Sequence, residues 1–374
     1  MVNQINPATT NRGQMSLFPT MLEQEPEIQH EVLKNPPTTR YQGSKLKLLS
    51  WIWQNISHLE FNSVLEAFGG TGCVSYMMKA RGKEVTFNDY LRFNQIMAQA
   101  LIENNDVRLE SEDIEFILRK DKAVKYDNLI ERTFEEIFFT GDENALLDVV
   151  AQNIPRLEDE YKRALAYYAL FQTCIIKRPY NLFHRANLYI RTAEVKRSFG
   201  NKVTWDTPFE QHFRTFIAEA NEAVFASNKK CRAVCADALD VEGHYDLVYI
   251  DTPYITKSKV GVNYLDFYHF LEGMTDYPKW EQRIDYSKKH RPLKGARSAW
   301  SDPKKTFEAF EKLFAKYKNS TLVISYRSDG IPSENELVQL LKAYKADVQQ
   351  VQYGQYKYVL STNTESKEIL LIGR

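Results

Sequence analysis

From Ser44 onward the apolar residues recur at helical spacing, with Leu46, Leu49, Ile52, Trp53 and Ile56 on one face. The run Val64-Leu65-Glu66-Ala67-Phe68 reads instead as a short buried strand. It leads into Gly69-Gly70-Thr71-Gly72 and then a helix through Met77 and Met78. A second strand, Glu84–Phe87, ends at Asn88-Asp89, and a helix follows from Leu91. Strand, tight turn, helix, strand, acid, helix is the opening of a doubly wound α/β sheet. Residues 105–228 break that alternation and read as mostly helical, most clearly over 158–177, where Tyr161, Leu165, Tyr168 and Phe171 are helically spaced. Alternation resumes with strands at 231–235 and 245–250, a helix at 302–317, a strand at 321–326 and a helix at 333–344. Two last strands, near 347–353 and 367–373, flank a turn around Asn363 and predict an antiparallel hairpin at the sheet edge.

This pattern sets the expected domain plan. Residues 1–37, rich in Asn, Gln, Pro and Thr, read as a flexible tail. Residues 38–104 and 229–374 form one α/β domain, and 105–228 is a helical insertion assisted by the basic, aromatic segment 255–300. A chain of 374 residues with 43% hydrophobic and 13% aromatic content has ample material for a core, which excludes global disorder. Four cysteines, Cys73, Cys174, Cys231 and Cys235, are too few for a disulfide scaffold and point to a reducing compartment. Cys231 and Cys235 lack a second Cys or His pair at zinc spacing, so no metal is expected. There is no basic, apolar leader and no apolar run of about 18 residues, so a cytoplasmic protein without membrane contact is expected.

Charge alters the picture only when taken by segment. The 49 Lys+Arg balance 49 Asp+Glu, which excludes a protein holding nucleic acid by bulk attraction. Yet residues 105–160 carry sixteen acids against seven bases. Residues 177–202 carry seven bases against one acid, and 279–305 carry nine against three. Both basic stretches interleave aromatic and amide side chains: Tyr180-Asn181-Leu182-Phe183 in one, Trp280, Tyr286 and Trp300 in the other.

Two motifs carry candidate chemistry. Phe68-x-Gly70-x-Gly72 lies at a strand-to-helix turn where glycine lets backbone approach a ligand, and Asp89, 17 residues beyond Gly72, ends the next strand, where an acid accepts ribose hydroxyls. Together they suit a nucleoside-containing cofactor. Asp251-Thr252-Pro253-Tyr254 follows the buried strand Tyr245–Ile250. An exocyclic base amine is a poor nucleophile because its lone pair is delocalised into the ring. A carboxylate and a backbone carbonyl accepting its two N–H groups draw it toward tetrahedral geometry, and an aromatic ring can stack on the base.

With these motifs the chain resembles the D12 class of DNA adenine-N6 methyltransferases, from about Arg40 to the C-terminus. Arg40-Tyr41-Gln42-Gly43-Ser44-Lys45 resembles the family's N-terminal cofactor motif, and Glu66–Gly72 its glycine motif. Asn88-Asp89-Tyr90 resembles the ribose acid, Cys235–Ala238 the acid beside the cofactor adenine, and Asp251–Tyr254 the catalytic Asp-Pro-Pro-Tyr, with Thr252 in place of the first proline. Since that position is asked for its backbone carbonyl, activity is expected to survive the exchange. The resemblance implies a Rossmann-like class I methyltransferase sheet and S-adenosylmethionine as cofactor. It implies that Tyr41 and Lys45 line the sulfonium end and that Phe68, Gly70 and Gly72 admit the cofactor. Asp89 would then bind the ribose and Asp237 the adenine amine, with Glu66 supporting the glycine turn. Asp251 and the Thr252 carbonyl would hold the target N6, Pro253 would stiffen the loop, and Tyr254 would stack on the flipped adenine. Double-stranded DNA is the implied partner of a monomeric enzyme, in a prokaryotic or phage-like setting, with a cognate restriction endonuclease acting separately where one exists.

The basic stretches then become DNA contacts. Arg178, Asn181, Arg185, Arg191, Lys196 and Arg197 are expected on one side, Lys288, Lys289, Arg291 and Arg297 on the other, and the acidic stretch is expected to face away. Two further readings stand beside this one. The same loop serves methyltransferases of RNA or of protein glutamine, and a non-catalytic DNA-binding protein could retain the fold.

Overall fold

The structure is a computed structural model that describes residues 36–195, 202–255, 261–295, 298–355 and 366–374. Its strands are β1 (Ser63–Glu66), β2 (Glu84–Asp89), β3 (Arg232–Cys235), β4 (Leu247–Ile250), β5 (Thr321–Arg327), β6 (Val348–Gln355) and β7 (Lys367–Gly373). They form one seven-stranded sheet in the order β3-β2-β1-β4-β5-β7-β6. The five strands from β3 to β5 are parallel, while β7 runs antiparallel to both β5 and β6. Strand order reverses between β1 and β4, which pair with Glu66 opposite Tyr249, so the turn after β1 and the loop after β4 emerge side by side. The expected closing hairpin is present, with β7 on its inner side; its connection lies outside the described residues, as does residue 363.

Alternation along β4 sorts the two sheet faces. Leu247 and Tyr249 join Leu48, Ile52, Ile56 and Met78 beneath α1 (Leu49–Ile56) and α2 (Cys73–Ala80). Val248 and Ile250 point the other way, toward helices at Thr306–Lys316 and Glu334–Lys342. Strands covered on both faces read as unbroken apolar runs, which is why β4 was legible from composition alone. After β2, α3 (Arg92–Ala98) passes into a single π turn at Gln99–Glu103.

The helical layer is built from α4 (Ser111–Leu118), α5 (Leu129–Thr133), α6 (Gly141–Asn153), α7 (Glu160–Ile176), α8 (Tyr189–Thr192), α9 (Lys202–Asp206) and α10 (Phe209–Ala223). Helix α7 is buried without interruption from Ala164 to Ile175, so it is the axis of the layer rather than a surface helix. The segment treated as one basic stretch in the sequence contains α11 (Tyr264–Met274) and α12 (Tyr277–Arg283). Phe270 and Trp280 from these helices pack with Phe134, Phe138, Phe171 and Phe183 of the insertion and with Phe93 of α3 in one core. The insertion therefore does not separate from the sheet as a unit of its own. Among the described residues no helix is long and apolar enough to cross a membrane.

Candidate active site

A cavity opens at the carboxyl ends of β1, β2 and β4, at the switch point where open α/β sheets bind ligands. Its floor is the glycine turn. A Cβ on Gly69 would stand 1.9 Å from the Phe87 ring, so the turn lies directly against β2. Gly70 then adopts φ +51°, a left-handed conformation that turns its N–H toward Asp89. Asp89 accepts that N–H at 2.9 Å on Oδ2 and the Leu91 N–H at 2.8 Å on Oδ1, while burial pushes its carboxyl up and these donors pull it back. Asn88 joins the strand ends by donating to the carbonyls of Ala67 (3.0 Å) and Ala236 (3.2 Å) and accepting from the Ala236 N–H (3.1 Å).

Glu66 also faces the cavity, with its carboxylate turned into the fold. It accepts the Ser75 N–H at 3.0 Å and the Ser75 hydroxyl, tying β1 to α2. Burial pushes its carboxyl up to about 8 against those hydrogen bonds. Asp237 lines the far rim, solvent-exposed, with Oδ1 accepting the Leu239 N–H at 3.0 Å. Aromatic rings make the walls. Tyr41 is stacked between Tyr264 (5.5 Å, 6°) and Tyr268 (4.6 Å, 10°), and Phe68 meets Trp300 edge-on at 4.7 Å. Phe68, Gly70, Tyr41, Lys45, Asp89, Asp251 and Pro253 all line this one cavity. Gly72, at φ +70°, begins α2 just outside it.

The loop after β4 carries a buried charge cluster. Lys45 Nζ lies 3.0 Å from Asp251 Oδ1 and 2.9 Å from Glu368 Oε1, and it also donates to the Tyr254 hydroxyl. The Tyr254 hydroxyl lies 2.9 Å from Asp251 Oδ1 and 3.2 Å from Glu368 Oε1. Thr252 is buried beside it. Burial would lower the Lys45 ammonium, yet the carboxylates of Asp251 and Glu368 raise it overall, so it is held cationic. Asp251 is pushed up to about 6, chiefly by burial, with Lys45 pulling it down and Glu368 pushing it further up. Among the described residues both contacts to Asp251 fall on Oδ1, and none falls on Oδ2. Lys45 thus sits at the cavity wall beside Asp251, engaged by carboxylates. The Tyr254 ring is half-buried, edge-on to Tyr326 at 5.9 Å.

The expected DNA contacts divide. Arg178 is 1% exposed, and its guanidinium donates to the carbonyls of Leu182 (3.2 Å), Phe138 (3.0 Å) and Arg185 (3.1 Å) and to Asn187. Burial pushes it well below the ordinary arginine value. Arg191 is likewise buried and forms a two-pronged pair with Glu143 at 2.9 and 2.8 Å. These two arginines are corrected from duplex contacts to scaffold: both are buried, and their guanidiniums are turned to protein oxygens rather than presented to a phosphate. Glu143 comes from the acidic stretch, so that stretch does not simply face away; part of it neutralises the basic one.

Asn181 and Tyr180 form a left-handed turn at φ 59° and 61°, Tyr180 is 57% exposed, and Arg185 is exposed on the loop that Arg178 holds. Lys288 and Lys289 are exposed on the excursion closed by the Ile284–Leu293 bridge, where Arg291 covers the Tyr286 ring at 5.1 Å. Lys196, Arg197 and Arg297 lie outside the described residues.

Sequence reasoning missed Tyr264, Tyr268 and Glu368. The one available signal was Glu368 itself, an acid inside the apolar run of the last strand.

The comparisons with known proteins agree with this geometry. A family model described as D12 class N6 adenine-specific DNA methyltransferase matches residues 41–340. The chain is 29% identical over 319 residues to Type II methyltransferase M2.HphI of Haemophilus parahaemolyticus, covering 83% of this chain and 89% of that protein. It is 22% identical over 351 residues to Type II methyltransferase M.NlaIII of Neisseria lactamica, covering 87% and 95%. To Type II methyltransferase M.FokI of Planomicrobium okeanokoites it is 24% identical over 330 residues, 82% of this chain and 47% of the relative, so the chain spans about half of that protein.

Proposed function

Because the chain belongs to the D12 class of N6 adenine-specific DNA methyltransferases, we propose that it methylates an adenine turned out of duplex DNA, with Asp251–Tyr254 as the catalytic loop. The family's reaction takes its methyl group from S-adenosylmethionine, and the residues around the cavity suit that cofactor. A left-handed glycine turn, a buried acid at the end of β2, an acid on the far rim and an aromatic wall match its carboxylate-bearing, ribose and adenine ends. Bound there, the cofactor supplies an electrophilic methyl group on a cationic sulfur.

The protein's own residues do the rest. Gly70 and Gly72 let the backbone approach, Asp89 takes the ribose hydroxyls, Asp237 takes the adenine amine, and Tyr41 and Phe68 offer aromatic faces toward the sulfonium end. Asp251 Oδ2 accepts one N–H of the target N6 and the Thr252 carbonyl accepts the other. The nitrogen lone pair is thereby drawn out of the ring and aimed at the methyl group, and the developing positive charge is met by the carboxylate. The observation that carries this reading is the asymmetry of Asp251, its Oδ1 fixed by Lys45 and Tyr254 while the carboxylate lines the cavity.

Asn181, Arg185, Lys288, Lys289 and Arg291 grip the duplex, and exposed Tyr180 is the aromatic group placed to fill the vacated stack. Several relatives are named Type II methyltransferases, which supports a role in which the product, where a cognate endonuclease exists, protects DNA from it. Incubation with duplex DNA and S-adenosylmethionine, followed by single-molecule sequencing, is expected to give N6-methyladenine in one fixed context. Methyl transfer confined to RNA or to protein glutamine would overturn the reading.

A further inference from the structure

Strand β7 runs against the parallel strands, so its beginning, not its end, reaches the rim where β4 and β5 finish. Glu368 is the second residue of β7, paired with Arg327 at the end of β5, and it is fully buried. The antiparallel strand thus delivers a carboxylate to the rim where the parallel strands end. Ser325 Oγ donates to Glu368 Oε1 at 2.7 Å, and Lys45 Nζ stands 2.9 Å from the same oxygen.

The donor count explains what this acid does. An ammonium has three N–H groups, and Lys45 meets three oxygens: Asp251 Oδ1, Glu368 Oε1 and the Tyr254 hydroxyl. The Tyr254 hydroxyl has one proton, to be given to Asp251 or to Glu368. Without Glu368, both the ammonium and the phenol would turn wholly onto Asp251. Its carboxylate would then be a saturated ion pair, a weaker acceptor for a neutral amine. We propose that Glu368 is a positioning residue for methyl transfer: it draws Lys45 and Tyr254 aside so that Asp251 keeps acceptor capacity for the target amine. This rests on the assignment of Asp251 to that amine.

Among the described residues, the charged and titratable groups facing Asp251 are few. They are Lys45 ahead of α1, Glu66 on β1, Tyr249 on β4, Tyr254 in the loop, Tyr264 on α11 and Glu368 on β7. Of these, Glu368 is the anion that pushes Asp251 upward most. Glu368→Gln removes that push and leaves Lys45 to pull Asp251 down, so the acidic limb of the kcat profile moves to lower pH, by about one unit. At the same time kcat falls by about ten- to a hundredfold, because the reacting amine is less well held. S-adenosylmethionine affinity, read by calorimetry, and the thermal melt stay near those of the unaltered protein. A role in folding alone would move the melt and leave the limb in place.

Ser325→Ala reaches the same carboxylate without removing it. Glu368, short of one donor, leans harder on Lys45, and the limb moves the other way, to higher pH. Glu368→Gln with unaltered kcat and an unmoved limb overturns the proposal. If Glu368→Gln does not fold, an unmoved limb in Ser325→Ala overturns it alone. Asp251→Asn separates the layers: if that variant remains active, the assignment of Asp251 falls and takes this proposal with it. If it is dead while both other variants behave as the unaltered protein, only the role of Glu368 falls.

Discussion

Two buried charge clusters in this molecule look alike and do different work. In the first, one cation, Lys45, is shared by two acids, Asp251 and Glu368, at 3.0 and 2.9 Å. In the second, one acid, Glu143, is shared by two cations, Lys177 and Arg191, at 2.9 and 2.8 Å. The second cluster spends its remaining donors on backbone. Lys177 reaches the carbonyls of Trp205 (2.9 Å) and Thr207 (2.5 Å), and Arg191 those of Phe138 and Trp205. It fastens the start of α6, the end of α7, α8 and the lead into α10 to one another. The first cluster includes a carboxylate that lines the cavity and has an oxygen with no described partner. Burial and charge therefore do not separate a site from a strut. What separates them is whether an acceptor is left over, and where it points.

The comparison breaks most readily at Glu143. Glu143→Ala strands two buried cations and is expected to cost about 3–5 kcal/mol of stability, read by denaturant unfolding. Cofactor binding by the folded fraction should not change. A loss of methyl transfer without loss of stability would make the second cluster part of the site. Next in size is Asp251→Ala, expected to retain S-adenosylmethionine and to lower methyl transfer at least about a hundredfold, or about 3 kcal/mol in the barrier. Near-unaltered incorporation of tritiated methyl into DNA would remove Asp251 from catalysis.

Acid should then sharpen the contrast. Asp251, pushed up to about 6, must be ionised to accept an N–H, so activity falls as pH drops through about 6. Burial alone would raise Glu143, but Arg191 and Lys177 hold it below the ordinary carboxylate value. Its contribution to stability is present above the unfolded value of about 4.3 and is lost only as pH falls through the lower folded one. Between those limits circular dichroism should report a folded protein while the methylation rate declines by about tenfold per pH unit. Unfolding in step with inactivation would remove the distinction. The smallest effects belong to the exposed bases: Lys288→Ala and Lys289→Ala should each lower the log–log salt slope of DNA binding by about one, with little change in sequence preference. The same measurement on Arg178→Ala should instead show loss of folded protein.

The α/β half was readable because its motifs are local. Gly69–Gly72, Asp89 and Asp251–Tyr254 each stand at the end of an apolar strand, and such a strand places whatever follows it at one edge of the sheet. The helical layer was readable only as helices. A count of bases in 177–202 cannot tell exposed Arg185 from buried Arg178, because helical periodicity does not say which side chain meets a carbonyl from forty residues away. Sequence coupled 255–300 to the insertion by its charge, but not that the two helices of 264–283 share a core with it across the intervening β3 and β4.

By itself the sequence determined the alternation of strands and helices, the family motifs and several of the residues that line the cavity. These follow from short-range rules, an apolar run, a glycine turn and an acid at a strand end. Only the tertiary structure decided the company that Asp251 keeps. Its partners come from residue 45 and residue 368, near opposite ends of the described chain. The reversal of β7 brings them together, because an antiparallel strand begins where its parallel neighbours end. It decided equally that Arg178 and Arg191 hold the scaffold, since in a packed interior a charge is committed to the acceptors around it.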